Sequence, residues 1–165
     1  MKATNYSFVF LRMYTREQAS QLRQEFWTTF GLYMSPQLSP EGQKVNWLNY
    51  KTGIKNVHFK MDADKNKARI AIEITHPDAG IQELFFQQFE EYRDILHQTL
   101  NEEWTWSFQS ADEYNKPISW IGTELPGVNV FKKEDWPAII SFLKPRIIAL
   151  DGFWGDVKDG FEALK

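Results

Sequence analysis

The sequence predicts an α+β domain, an antiparallel-rich central sheet with helices packed on it, and three observations carry that prediction. Residues 57–61 and 70–75 alternate apolar and polar side chains on either side of a polar turn, the two-residue period of half-buried strands. Before them Ala19, Leu22, Phe26, Phe30 and Tyr33, and after them Ile81, Leu84, Phe85, Phe89, Tyr92, Leu96 and Leu100, recur at spacings of three and four, the stripe of a helix that buries one face. A chain of 165 residues with 42% apolar content supplies one core, so a single domain suffices.

Residues 1–14 read as an arm or short strand ahead of a globular domain over 15–165. Their apolar run of about four residues falls short of a signal peptide's roughly 7–15. Thr15-x-x-Gln18 is a capping box that opens the first helix. Ser35-Pro36 and Ser39-Pro40-Glu41-Gly42 end it in a loop. Three strands are then expected in succession. In the first, Val45–Tyr50, Val45, Trp47 and Asn49 oppose Asn46, Leu48 and Tyr50. A Thr52-Gly53 turn leads to the second, where Val57, Phe59 and Met61 oppose Asn56, His58 and Lys60. Across the 62–67 turn, Ile70, Ile72 and Ile74 oppose Ala71, Glu73 and Thr75.

Asp78 suits the N-cap of a second helix that ends near Leu100-Asn101, with Gln82, Glu83, Gln87, Glu90, Glu91 and Asp94 on its wet side. Trp104, Trp106 and Phe108 alternate with polar residues as a further strand. Ile118–Leu125 and a short Val128–Phe131 follow, separated by a Pro126-Gly127 turn. Asp135 caps a last long helix with Pro137 in its first turn, and Pro145 predicts a kink or break near 141–144. A final helical turn falls around Phe161–Leu164. The expected order is α-β-β-β-α-β-(β-β)-α.

Composition excludes several functions. Without cysteine there is no disulfide and no thiolate metal site, and a reducing, cytoplasmic setting is expected. No stretch approaches the roughly 18 apolar residues of a membrane span. No phosphate-cradling glycine loop, dinucleotide fingerprint or nucleophile elbow is present, so no cofactor is expected. Asp62-x-Asp64-x-Asn66 lacks the glycine and closing glutamate of a calcium loop and reads as a solvated turn, so no metal is assigned.

The net charge of −3 is unevenly placed. Six basic residues face two acids between Lys51 and Arg69, whereas seven acids face Arg93 alone between Asp78 and Glu103. Two such surfaces can simply be solvated, or face each other within a monomer or a dimer. The sharper alternative is a phosphate-facing sheet on which Lys55, Lys67 and Arg69 bind. The acidic total weighs against nucleic acid as the favoured partner. Antiparallel pairing about the 62–67 turn makes His58 and Glu73 cross-strand neighbours on a polar face. That face is either merely wet or a cleft with Glu73 as base and His58 or Lys60 as its partner.

The chain resembles domain-of-unknown-function family 4268. The likeness rests on residues 15–27, on Lys44-Val-Asn-Trp-Leu-Asn-Tyr-Lys-Thr-Gly53, on Ile72-Glu-Ile-Thr-His-Pro77 and on Leu143-Lys-Pro-Arg146. It implies a self-contained globular domain and assigns no catalytic residues. Longer members resemble nuclease-type proteins with this domain appended, which associates it with nucleic acid. The helix, three strands, helix, strand order is also similar to restriction-endonuclease-like folds, which hold a divalent metal with an acid and a Glu-x-Lys. Here Glu73-Ile74-Thr75 lacks the lysine, and Glu73 lies roughly 30 Å along the strand from Asp64 at about 3.3 Å per residue. Two functional classes follow. The preferred one is a non-catalytic binding or assembly domain meeting a protein partner or itself, motivated by seven tryptophans, a residue enriched where interfaces bury area. The other is a divergent or degenerate nucleic-acid-acting domain.

Overall fold

Thr15 caps the first described helix as its sequence context predicts. Its hydroxyl accepts the Gln18 amide hydrogen (3.1 Å) while the Gln18 side chain accepts the Thr15 amide (2.9 Å), closing the capping box. The computed structural model describes residues 15–164, and the arm expected over 1–14 lies outside the described residues. Helix α1 (Arg16–Met34) buries Phe26, Phe30 and Met34. Strands β1 (Val57–Ala63) and β2 (Lys67–Ile74) form the expected hairpin, with Val57 opposite Ile74, Phe59 opposite Ile72 and Met61 opposite Ile70. The Asp64 carboxylate closes the turn by accepting the amides of Asn66 (2.7 Å) and Lys67 (2.9 Å).

Asp78 caps α2 (Ala79–Glu91), its carboxylate accepting the Ile81 amide (3.0 Å). The helix expected to continue to residue 100 is interrupted at Tyr92 and restarts as α3 (Arg93–Leu100), which ends on Asn101 in a left-handed conformation (φ 54°). Strands β3 (Thr105–Ala111) and β4 (Pro117–Pro126) complete the sheet, followed by α4 (Trp136–Val157) and the short α5 (Asp159–Glu162). The sheet runs β1-β2-β4-β3 with every pair antiparallel. Ile70, Ile72, Ile74 and Ile121 are fully buried on one face, under α2 and α4. The result is a two-layer α+β sandwich.

At the sheet's centre Gly122 stands opposite Ala71. A Cβ at Gly122 would lie 2.7 Å from the Ala71 Cβ and 2.8 Å from the Ile70 carbonyl oxygen. Gly122→Ala therefore forces two strands apart and is expected to cost about 1–3 kcal/mol by urea denaturation. A neutral variant would show that the strands move apart freely.

Two expected strands are not strands. Val45–Tyr50 belongs to an irregular connection over 35–56, whose ladder contact is the isolated Leu38–Lys44 bridge. The reason is local. Trp47 is buried and Tyr50, three residues on, packs on the same core, a spacing that period-two alternation forbids. Asn46 also turns the chain by accepting the Asn49 amide (3.1 Å). Val128–Phe131 is a loop in which the Asn129 side chain accepts the Phe131 amide (2.8 Å) and Val130 donates to the Asp64 carbonyl (3.0 Å). The helix, three strands, helix order behind the endonuclease likeness thus loses its first strand. Pro145 does not break α4, which runs unbroken from Trp136 to Val157. Both Pro145 and Ser141, whose carbonyl loses its helical donor there, are exposed to solvent, while Phe142, Leu143 and Ile147 stay buried.

Candidate functional site

The hairpin brings most of the sequence-predicted residues onto the sheet face opposite the helices. His58 pairs with Glu73, Lys60 with Ala71 and Asp62 with Arg69. The Glu73 carboxylate, however, bonds Arg69 (3.0 Å) rather than His58, and the Arg69 guanidinium lies over the Trp120 ring (5.0 Å). Lys67 pairs with Glu124 on β4 (2.8 Å). On this face Glu124 and Glu73 thus pair with Lys67 and Arg69, while Asp62 lies two residues from Lys60 on the same side of β1. Lys55 lies elsewhere, in the turn before β1. Among the described residues no three His, Cys, Asp or Glu side chains gather to hold a metal.

Burial, and then the Lys60 ammonium, hold the His58 imidazole below its ordinary pKa, with Glu73 opposing them. A histidine depressed in the folded state makes stability fall as pH drops through its unfolded value of about 6.5. NMR titration is expected to place His58 below that value. Lys60→Ala should move its midpoint up and Glu73→Gln should move it further down; the opposite order would mean that the two charges do not act on it.

Two of the four stretches that carry the family resemblance form structural anchors. In Lys44–Gly53, the Trp47 indole donates to the Gln37 carbonyl (3.0 Å) and the Tyr50 hydroxyl to Asp151 on α4 (2.5 Å). Burial first, and then Asp151, push the Tyr50 phenol well above its ordinary range, so it stays a donor. The buried Thr52 hydroxyl donates toward the Ile54 and Val57 carbonyls, while the Thr52 carbonyl accepts from the Trp154 indole (2.8 Å). In the second stretch Arg146 makes a two-pronged pair with Glu102 (2.7 and 2.9 Å) and donates to the Phe142 carbonyl (2.8 Å). Of the seven tryptophans, Trp47, Trp104, Trp136 and Trp154 are buried and Trp27, Trp106 and Trp120 half-buried, so the fold itself uses most of their area.

A groove of about 730 Å³ opens at the end of the hairpin, between residues 53–56, His76-Pro77, α2 and the turn after α5. Its apolar wall is Ile54, Pro77, Ile81, Leu84, Phe85 and Leu164, and its charged group is Lys55, with His76 beside it. Among the described residues no carboxylate lines it. Positive φ at Gly53 (79°) and Asn56 (67°) turns the chain so that Lys55 stands at the rim. Phe85 stacks on Phe161 (6.4 Å between ring centroids), which seats the C-terminal wall.

Sequence periodicity places Ile81 and Leu84 in the buried stripe and Gln82 on the wet side, and the structure reverses this. Gln82 is fully buried, donating to the His76 and Pro117 carbonyls (3.0 and 3.1 Å) and accepting from Ser119 (2.6 Å). Leu84 is 52% exposed and Ile81 36%. The signal that finds this is the competing stripe Gln82, Phe85, Phe86, Phe89, which obeys the same spacing once a glutamine with three partners is allowed inside.

Fold and groove together define a two-layer α+β domain with helices on one face of an antiparallel sheet and an apolar opening at its end. The chain belongs to the family described as Domain of unknown function (DUF4268), whose model matches residues 22–158. No curated protein and no solved structure matches it. No helix among the described residues is long and apolar enough to cross a membrane.

Proposed function

We propose that this domain is a non-catalytic binding and assembly module, and that its working surface is the groove beside α2. The observation that supports the reading is the exposure of Ile81 and Leu84 against an apolar lining. A concave, mostly apolar site with few polar groups is how proteins take up apolar parts of a partner. The sheet face with His58, Lys60 and Glu73 serves as a solvated, ion-paired surface, because Arg69 and Glu124 already occupy the groups a catalytic or phosphate-binding role needs.

The test is uptake of an apolar fluorescent dye, anilinonaphthalene sulfonate, by very dilute folded protein. Saturable binding is expected, weakened about tenfold or more by Leu84→Glu, since a carboxylate would then have to be buried in the site. Leu84 is an exposed side chain, so the melting temperature should stay put. No uptake by the wild type, or equal uptake by the variant, would sink the reading. So would salt-sensitive retention on DNA or RNA that is lost when Lys67 and Arg69 are changed to alanine.

A further inference from the structure

The geometry points to a second copy of this chain as the occupant of the groove, in a two-fold dimer built on antiparallel packing of α2 against α2. The inference rests on the groove reading above and adds the partner's identity. A two-fold interface uses one patch twice, so that patch must complement itself. This one carries a cation at the groove and an acid at the far end of α2. On α2, at 100° per residue, Gln82, Phe85, Phe86 and Phe89 point inward and are buried. Leu84 then stands on the outer side, about 150° from the buried direction, and Ile81 about 90° from it, both lining the groove. Glu91 also lies at the outer edge, close to 180° from the buried side. Leu84 and Glu91 are both exposed.

Along the helix axis the charges are offset in opposite directions from Leu84. The β1–β2 pairing, extended by the Thr75 amide donating to the Asn56 carbonyl, sets Lys55 beside His76, just before α2 and eight positions before Leu84. Glu91 closes α2 seven positions after it. With the two-fold axis passing near Leu84, the two α2 helices run antiparallel. Each Lys55 then comes level with Glu91 of the other copy, about 10 Å along the helix from the axis at 1.5 Å per residue. Two equivalent ion pairs therefore flank a centre of Leu84 and Ile81 side chains, each copy's Leu84 entering the other's groove. Neither Lys55 nor Glu91 has an ion-pair partner among the described residues, so both charges are free for this use. Among the described residues the groove lining carries no carboxylate, so the incoming acid meets a cation and an apolar wall.

Sedimentation equilibrium and light scattering across protein concentration decide it. The wild type is expected to be a concentration-dependent dimer, and Leu84→Glu a monomer. Lys55→Glu and Glu91→Lys should each weaken dimerisation about tenfold or more. The double variant with both charges exchanged should return to within about threefold of wild type. All three positions of change are exposed, and unchanged far-ultraviolet circular dichroism checks that each variant folds. A wild type that stays monomeric overturns the dimer; if its groove still takes up dye, the binding reading stands without it. A dimer that ignores Leu84→Glu, or an exchange whose effects merely add, overturns the proposed packing.

Discussion

Phe89→Ala should remove about 3–5 kcal/mol of folding stability. Phe89 is fully buried and its ring meets Phe161 (4.5 Å), Trp154 (6.1 Å) and Phe153 (6.5 Å), so it joins α2 to α4 and α5 at one point. Truncation loses the transfer energy of the ring and leaves a hole that three other rings line and cannot readily fill. Since whole domains are stable by about 5–15 kcal/mol, roughly a fifth of the total or more is at stake. Phe161 holds the C-terminal wall through Phe85, so the same variant should also weaken dye uptake in the groove. Urea unfolding checks the first effect; a loss under about 1 kcal/mol would mean the cluster collapses around the hole.

Arg146→Ala comes next. Breaking a buried ion pair by removing one partner costs roughly 3–5 kcal/mol. About 2–3 kcal/mol is expected here, because the Arg146 and Glu102 side chains keep 25% and 30% exposure. The pH dependence identifies the pair. Burial alone would raise the Glu102 carboxyl, but the Arg146 and Trp104 hydrogen bonds and the Arg146 charge outweigh it and hold it below the ordinary range. A carboxyl depressed in the folded state contributes stability above its unfolded value near 4.3, and that contribution is lost as pH falls through the folded value. The wild type should therefore lose stability on the acid side of about pH 4.3 more steeply than Arg146→Ala, in which burial is less opposed. Parallel acid limbs would show that the pair does not set them.

Local chemistry made much of this fold legible. Thr15 and Gln18 name their own cap, and Asp64 its own turn. The alternation in 57–63 and 67–74 fixes both the register and the His58–Glu73 pairing, because a one-residue slip would turn every isoleucine outward. What failed depends on partners distant in sequence. Trp47, Leu48 and Tyr50 look strand-like, but Trp47 and Tyr50 are fastened to Gln37 and Asp151, which no local pattern reveals. The rotation of α2 was misread because Gln82 owes its burial to Ser119 and Pro117 on a strand much later in the chain. That misreading hid the candidate site, since the residues taken for core are those the groove displays. The charged hairpin, by contrast, showed its basic residues plainly while concealing that Glu124 would arrive to neutralise Lys67.

The connection over residues 35–56 carries a built-in optical signal. Trp47 and Trp154 donate to backbone carbonyls at its two ends, Gln37 and Thr52, and both indoles are shielded from water while it stays docked. Should that stretch lift away before the strands and helices melt, intrinsic emission would shift to the red ahead of any change in far-ultraviolet ellipticity. The chain would then report its own early loosening without a label.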